Sequence, residues 1–196
     1  MQRTRTDGAK RREALLDAAL KCFVKRGVLE TGIEDIRKAA KASPSSVYHQ
    51  FGGISDVTLA LLIRTFTRLF GHLALRVTAT TKAKDAVLAL VDGHLEWVMQ
   101  NRDEARFMYQ AMSLEMSPRV SVPLAKSKAA LLAPVVEHFA IFIAKGTLPA
   151  WSPLHFDVVL LGVTHEACRR FLAGAPLDPA WMHAELPRRA WRSLSA

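Results

Sequence analysis

The chain has 196 residues, half of them apolar, with 27 Lys and Arg against 18 Asp and Glu for a net charge of +9. That length accommodates a small head on a larger body with a sizeable core, and the basic excess suits a polyanionic partner such as nucleic acid. The excess is densest at the front, where the first 52 residues hold 11 basic and 6 acidic side chains, while two cysteines far apart, Cys22 and Cys168, exclude a disulfide framework or a CxxC redox pair.

Apolar spacing with a period of 3.6 dominates, and no alternating run flanked by turn residues occurs, so an all-α fold is expected. The first helix is predicted from about Ala9 to Lys25, with Leu16, Ala19, Leu20 and Phe23 on one stripe and Gly27 closing it. Thr31 and Glu34 have capping-box spacing, the hydroxyl accepting a backbone N–H and the carboxylate reaching back, and start a second helix that buries Ile33, Ile36 and Ala40. Ser43 is the next N-cap, with Pro44 at the first helical position, and the third helix, Pro44 to Gln50, stops at Gly52-Gly53. Three short helices, the last two joined by a turn of three to four residues, make a helix-turn-helix head over residues 1–53.

Residues 54–196 form the expected body, an antiparallel helical array that brings the total to about nine helices. Helices are predicted from about Ser55 to Leu75, Lys84 to Gln100, Asp103 to Met116 with Ser117-Pro118 as the stop, and Val122 to Ala144. After the break KGTLPAWSP, a helix from His155 to Ala173 is apolar on two faces, and one such face fits a cover by a second copy of the chain. The last helix opens at Asp178-Pro179 and runs to about Leu194, with Pro187 expected to bend it. No apolar run approaches the ~18 residues of a membrane span, and no apolar stretch follows the basic N-terminus, so a cytoplasmic protein with no membrane partner is expected. GxSxG, P-loop, GxGxxG and HExxH patterns are missing, and the HEAC at His165 lacks the second histidine a zinc site needs; no catalytic residue, metal or cofactor is expected.

Ala19, Phe23, Gly27, Thr31, Ile33, Asp35-Ile36, Ala40, Ser43, Tyr48 and Phe51 resemble, in order and spacing, the DNA-binding head of the TetR family of bacterial transcriptional regulators. The resemblance runs from about Arg12 to Val57 and implies a double-stranded DNA operator as partner. By that likeness Pro44, Ser45 and Ser46 meet bases or nearby phosphates, Tyr48 and His49 touch the backbone, and Thr31 holds a phosphate at the start of the second helix. Arg3, Arg5, Lys10 and Arg11 would form a basic arm along the DNA. Two positions depart from the family pattern. Lys41 stands in the turn where the family usually has Gly, and would compensate by facing a phosphate; Ile54 stands where a Lys is common.

Members of the family generally bind a small effector in the body, which implies a pocket drawn from Phe66, His94, Trp97, Phe107, Met108, Met112, Phe139, Phe142 and His165, suited to a hydrophobic or aromatic molecule. They also pair as homodimers through a two-fold four-helix interface, which would use Leu161, His165, Cys168, Leu172, Trp181, Leu186 and Trp191. The resemblance therefore implies a ligand-responsive regulator, most simply a repressor that binds a palindromic operator. The alternative is a ligand-sensing or protein-binding relative whose head no longer reads DNA.

Overall fold

The computed structural model describes residues 2–194, with side chains from residue 7 onward, and every element among them is helical. The elements are α1 (Gln2–Arg26), α2 (Ile33–Ala39), α3 (Pro44–Gln50), α4 (Ile54–Thr78), α5 (Ala83–Gln100), α6 (Arg102–Met112) and α7 (Pro118–Ala144). They are followed by α8 (Pro153–Phe156), a π-helical turn (Asp157–Leu161), α9 (Gly162–Leu172) and α10 (Pro179–Arg192). The π turn joins α8 and α9 without a break, so the described residues form nine continuous helices.

The chain falls into two compact units. The first comprises residues up to Thr65 together with Asp103–Ser127, and the second comprises Phe66–Arg102 with Lys128–Ala196. Packing of the head thus extends past residue 53. Phe23 of α1 stacks on Phe107 of α6 at 5.1 Å between ring centroids, both rings fully buried. Arg64 of α4, nearly buried, ties back to α1 through Glu13 (3.0 Å) and Asp17 (2.8 Å). In the second unit α5 and α10 lie side by side, and His183 of α10 bonds Asp92 of α5 at 2.6 Å.

Several boundaries follow from cap chemistry. Ser43 accepts the Ser46 N–H and Asp178 that of Ala180, each followed by Pro at the first helical position. α4 runs on to Thr78 and α6 stops at Met112, short of the expected Met116, and three other boundaries differ from expectation in kind. Pro118 opens α7 rather than closing α6, because a residue without an N–H costs nothing in a first turn. The basic N-terminus is helical from Gln2, so α1 contains the stretch expected as an arm; the side chains of Arg3 and Arg5 lie outside those described. The third concerns the start of α2. Its N-cap is Gly32, whose N–H donates to Asp35 Oδ2 at 3.0 Å, one residue later than the expected Thr31 and Glu34 pair.

Two helices, Ile54–Thr78 and Pro118–Ala144, are long and apolar enough by length and composition to cross a membrane, with mean hydropathy of 1.2 and 1.5. This corrects the expectation that no stretch comes near such a span: isolated charges such as Arg64, Arg68, Lys128 and Glu137 interrupt the apolar runs without lowering the average enough. Half of the α4 window is buried inside the protein, as befits a core helix.

Candidate nucleic-acid interface and body cavity

The turn between α2 and α3 sets the pose of the third helix. Ala42 N–H donates to the Arg37 carbonyl (3.0 Å) and Lys41 N–H to that of Lys38 (3.1 Å), the paired bonds of a Schellman motif. Such a motif needs a left-handed residue at Lys41, and Lys41 has φ 52°, the one positive φ among described non-glycine residues. The Arg37 side chain reinforces the turn, donating to the Ala42 carbonyl at 3.2 Å while pairing with Glu34. A lysine thus occupies the conformation for which glycine is the natural choice, and its side chain is exposed.

α3 is anchored on one side only. Val47 and Phe51 are buried, and the Arg12 guanidinium lies 4.9 Å above the Phe51 ring. Pro44, Ser45, Tyr48 and His49 face outward. Ser43 Oγ lies 3.1 Å from Ser45 Oγ and accepts from Ser46 N–H, so the serines preorganise one another at the helix start. Beside them is a groove of about 460 Å³ lined by Asp7, Gly8, Arg11, Ser43, Ser45, Ser46, His49 and Gln50. This brings Ser45, Ser46 and His49 together with Arg11. Gln50 joins them unexpectedly; its spacing of four residues from Ser46 was the signal for that face.

Thr31 is placed differently from expectation. It is buried, and its hydroxyl donates to the Gly27 carbonyl at 2.8 Å, where α1 ends at a glycine of φ +92°. The hydroxyl therefore fastens α2 to α1 and points into the head. At the start of α2 the carboxylate of Asp35 takes the Gly32 N–H and pairs with Arg26, and the Gly32 bond above all holds its pKa below the usual range. At the start of α4, Asp56 caps the Gly52 N–H and carries Arg119 at 3.0 Å, while Ile54 is half-buried.

In the second unit an apolar cavity of about 120 Å³ is walled by Leu132, Val135, Phe139 and Ile143 of α7, with Leu90, Trp151, Phe156, Leu161 and the half-exposed Asp157 around them. Phe156 holds the aromatic wall together, edge-on to Phe139 (5.4 Å) and tilted against Trp151 (5.6 Å). Of the nine residues expected to line a pocket, Phe139 alone is among those lining this cavity. Phe66, His94, Trp97, Phe142 and His165 lie elsewhere in the second unit, and Phe107, Met108 and Met112 belong to the first, with Phe107 in its core. His94 is buried and stacks on His165 at 4.8 Å; burial pushes both imidazoles below their ordinary pKa, and the proximity of His165 adds to the effect at His94.

The expected dimer residues divide. Leu161, Cys168, Leu172 and Leu186 are buried within the single chain, His165 and Trp191 are half-buried, and Trp181 is exposed. The exposed apolar residues of α8 to α9 are instead Leu154 (68%), Val158 (63%) and Val163 (68%).

Fold and head together define a helix-turn-helix DNA-binding protein. Residues 15–61 match the family described as bacterial regulatory proteins, tetR family. Residues 15–61 therefore carry the DNA-binding helix-turn-helix head of the TetR family. Its fold is shared by solved structures over nearly the full length. A putative tetR family transcription regulator from Shewanella sp. PV-4 is 20% identical, with 93% of this chain and 94% of that one covered and a TM-score of 0.75. A putative TetR-family transcriptional regulator from Rhodococcus sp. is 18% identical, with 95% and 100% covered and a TM-score of 0.77. The fatty acid degradation regulator FadR from Bacillus halodurans is 16% identical, with 93% and 94% covered and a TM-score of 0.69. At these identities the likeness is one of fold. No curated protein matches the sequence.

Proposed function

We propose that the chain is a cytoplasmic, ligand-responsive transcriptional repressor that binds a palindromic operator as a homodimer and releases it when a small hydrophobic or aromatic effector enters the body. The observation that carries this reading is α3, held by Val47 and Phe51 while Pro44, Ser45, Tyr48 and His49 stay exposed. A seven-residue helix gains little stability of its own, so its presentation is its purpose: its first residues enter the major groove and its last turn meets the backbone. Lys41 and Arg11 flank it with positive charge for phosphates. Leu154, Val158, Val163 and Trp181 are exposed apolar residues that a second copy would cover, placing two heads on half-sites about 34 Å apart. The cavity walled by Phe139, Trp151 and Phe156 is of the size to hold one ring. Whatever free energy the effector takes from DNA binding, DNA takes equally from effector binding.

Fluorescence anisotropy of the full chain on DNA tiled from the region flanking its own gene, across salt and with random DNA as competitor, tests the reading. Binding to one tile that survives competitor and needs a near-palindrome is the expected result. Equal, weak binding to every tile that vanishes by about 200 mM salt would instead indicate a basic surface without sequence readout, and a head that has drifted from DNA.

A further inference from the structure

We infer that the body cavity takes a small organic cation, with a ring-sized apolar body among Phe139, Trp151 and Phe156 and a protonated amine at the mouth on Asp157. The inference rests on the reading of this cavity as the effector site and adds the chemical class of the effector. Three observations carry it. The first is size: about 120 Å³ is below the roughly 300 Å³ at which drug-sized pockets begin, and close to the roughly 150 Å³ of an apolar cavity known to admit benzene. One ring and a short substituent fill it. The second is the polarity of the wall. Among the described residues that line the cavity, Asp157 is the one ionisable side chain, and the rest of the lining is aliphatic, aromatic or proline. A carboxylate beside an apolar surface strengthens its pairing with a cation and repels an anion, whereas a neutral ring gains nothing from it.

The third is the placement of that carboxylate. Asp157 is the first residue of the π-helical turn and Leu161 the last, and both line the cavity, so the wide turn itself forms part of the wall. The Asp157 side chain is half exposed and thus reachable from the mouth. Its nearest basic neighbour is His165, at 3.8 Å, which burial holds below its ordinary pKa and hence uncharged at neutral pH. Lys128 is held over the Phe66 ring at 4.8 Å and is not part of the lining. The negative charge of Asp157 is left for a ligand.

Calorimetric titration of the full chain at neutral pH with benzylamine, benzyl alcohol and benzoate separates the classes, since the three share a ring and differ in charge. Benzylamine is expected to bind about tenfold tighter than benzyl alcohol, the worth of one charge-assisted bond, with benzoate weakest. D157N is expected to erase the advantage of the amine and leave benzyl alcohol unchanged, and Ala140→Phe, which fills the cavity from α7, to weaken both. Benzyl alcohol or benzoate binding as tightly as benzylamine, an advantage that survives in D157N, or no binding of any probe at millimolar concentration would overturn the inference. The comparison on the unaltered chain needs no variant, so a D157N protein that failed to fold would not shield it. DNA affinity with and without benzylamine separates the two readings. Amine binding through Asp157 without any change on DNA sinks the repressor mechanism and keeps the cation site; release of DNA by benzyl alcohol with no preference for the amine does the reverse.

Discussion

At the scale of single residues, Lys41 and Thr31 show how one side chain's conformation decides its role. Lys41 is left-handed, which costs a residue with a Cβ about 1–2 kcal/mol, while glycine in its place would loosen the unfolded chain by about 0.4–1 kcal/mol. The first effect is the larger, so Lys41→Gly should stabilise the protein by about 0.5–1 kcal/mol in denaturant unfolding. The same variant should flatten the salt dependence of DNA binding by about 1.8 in log–log slope, the share of two neutralised phosphates, one from each protomer of the dimer. Greater stability with an unchanged slope would leave Lys41 as a strained turn residue with no part in binding. Thr31 presents the opposite case. Its hydroxyl serves the Gly27 carbonyl, so Thr31→Val should cost about 1–3 kcal/mol of stability by leaving that partly buried acceptor unmet. Its affinity for DNA at fixed salt should be unchanged; a tenfold loss in a folded T31V protein would put the hydroxyl on a phosphate after all.

At the scale of elements, the helices that were legible in the sequence are those whose ends are written in local chemistry. α3 matched residue for residue because Ser43, Pro44 and Gly52-Gly53 each act on their immediate neighbours. The α2 cap slipped by one because Thr31 found a tertiary partner in Gly27, which the capping-box pattern cannot foresee. In α8 to α9 the exposed apolar line differs from the face read from the sequence, for a different reason. A strict 3.6 period carried through Asp157–Leu161 ignores the extra residue of the π turn, which rotates everything after it; the exposed line runs Leu154, Val158, Val163, by four and then by five. The cavity was the least legible feature, since its walls come from segments as distant as Leu90 and Leu161 and no local pattern links them. The exposed line predicts the pairing surface. Val163→Glu should shift the protein from dimer to monomer in sedimentation equilibrium without lowering its thermal stability as a monomer, because Val163 is 68% exposed in the single chain. Cys168→Ser, at a position already buried within the chain, should leave the dimer intact; if C168S separates the copies and V163E does not, the face first read from the sequence is the interface.

At the scale of the whole molecule, the response to acid depends on which groups the fold keeps from protons. His94 is buried and its pKa lies well below 6.5, so above about pH 6.5 it is neutral folded or unfolded and has no effect on the balance. Below that, the unfolded chain takes up a proton that the folded chain refuses. Stability must then fall as pH falls, by up to about 1.4 kcal/mol per pH unit for this one group, and His165, also held down by burial, adds to the slope. The carboxylates act lower. Asp35, held down chiefly by the Gly32 N–H, and Glu166, held near 2 by bonds from Arg169 and Arg170, contribute stability that is complete above about pH 5 and is lost only as pH falls through their folded values. Histidine and carboxylate windows are therefore separate, the first beginning near pH 6.5 and the second near pH 5. Urea unfolding between pH 7.5 and 5 should show a decline that His94→Gln reduces, leaving the share of His165, while the loss below pH 5 persists in both proteins. A decline of equal slope in H94Q would mean that the folded protein accepts a proton at His94, and that the stacked pair opens to water before the fold is lost.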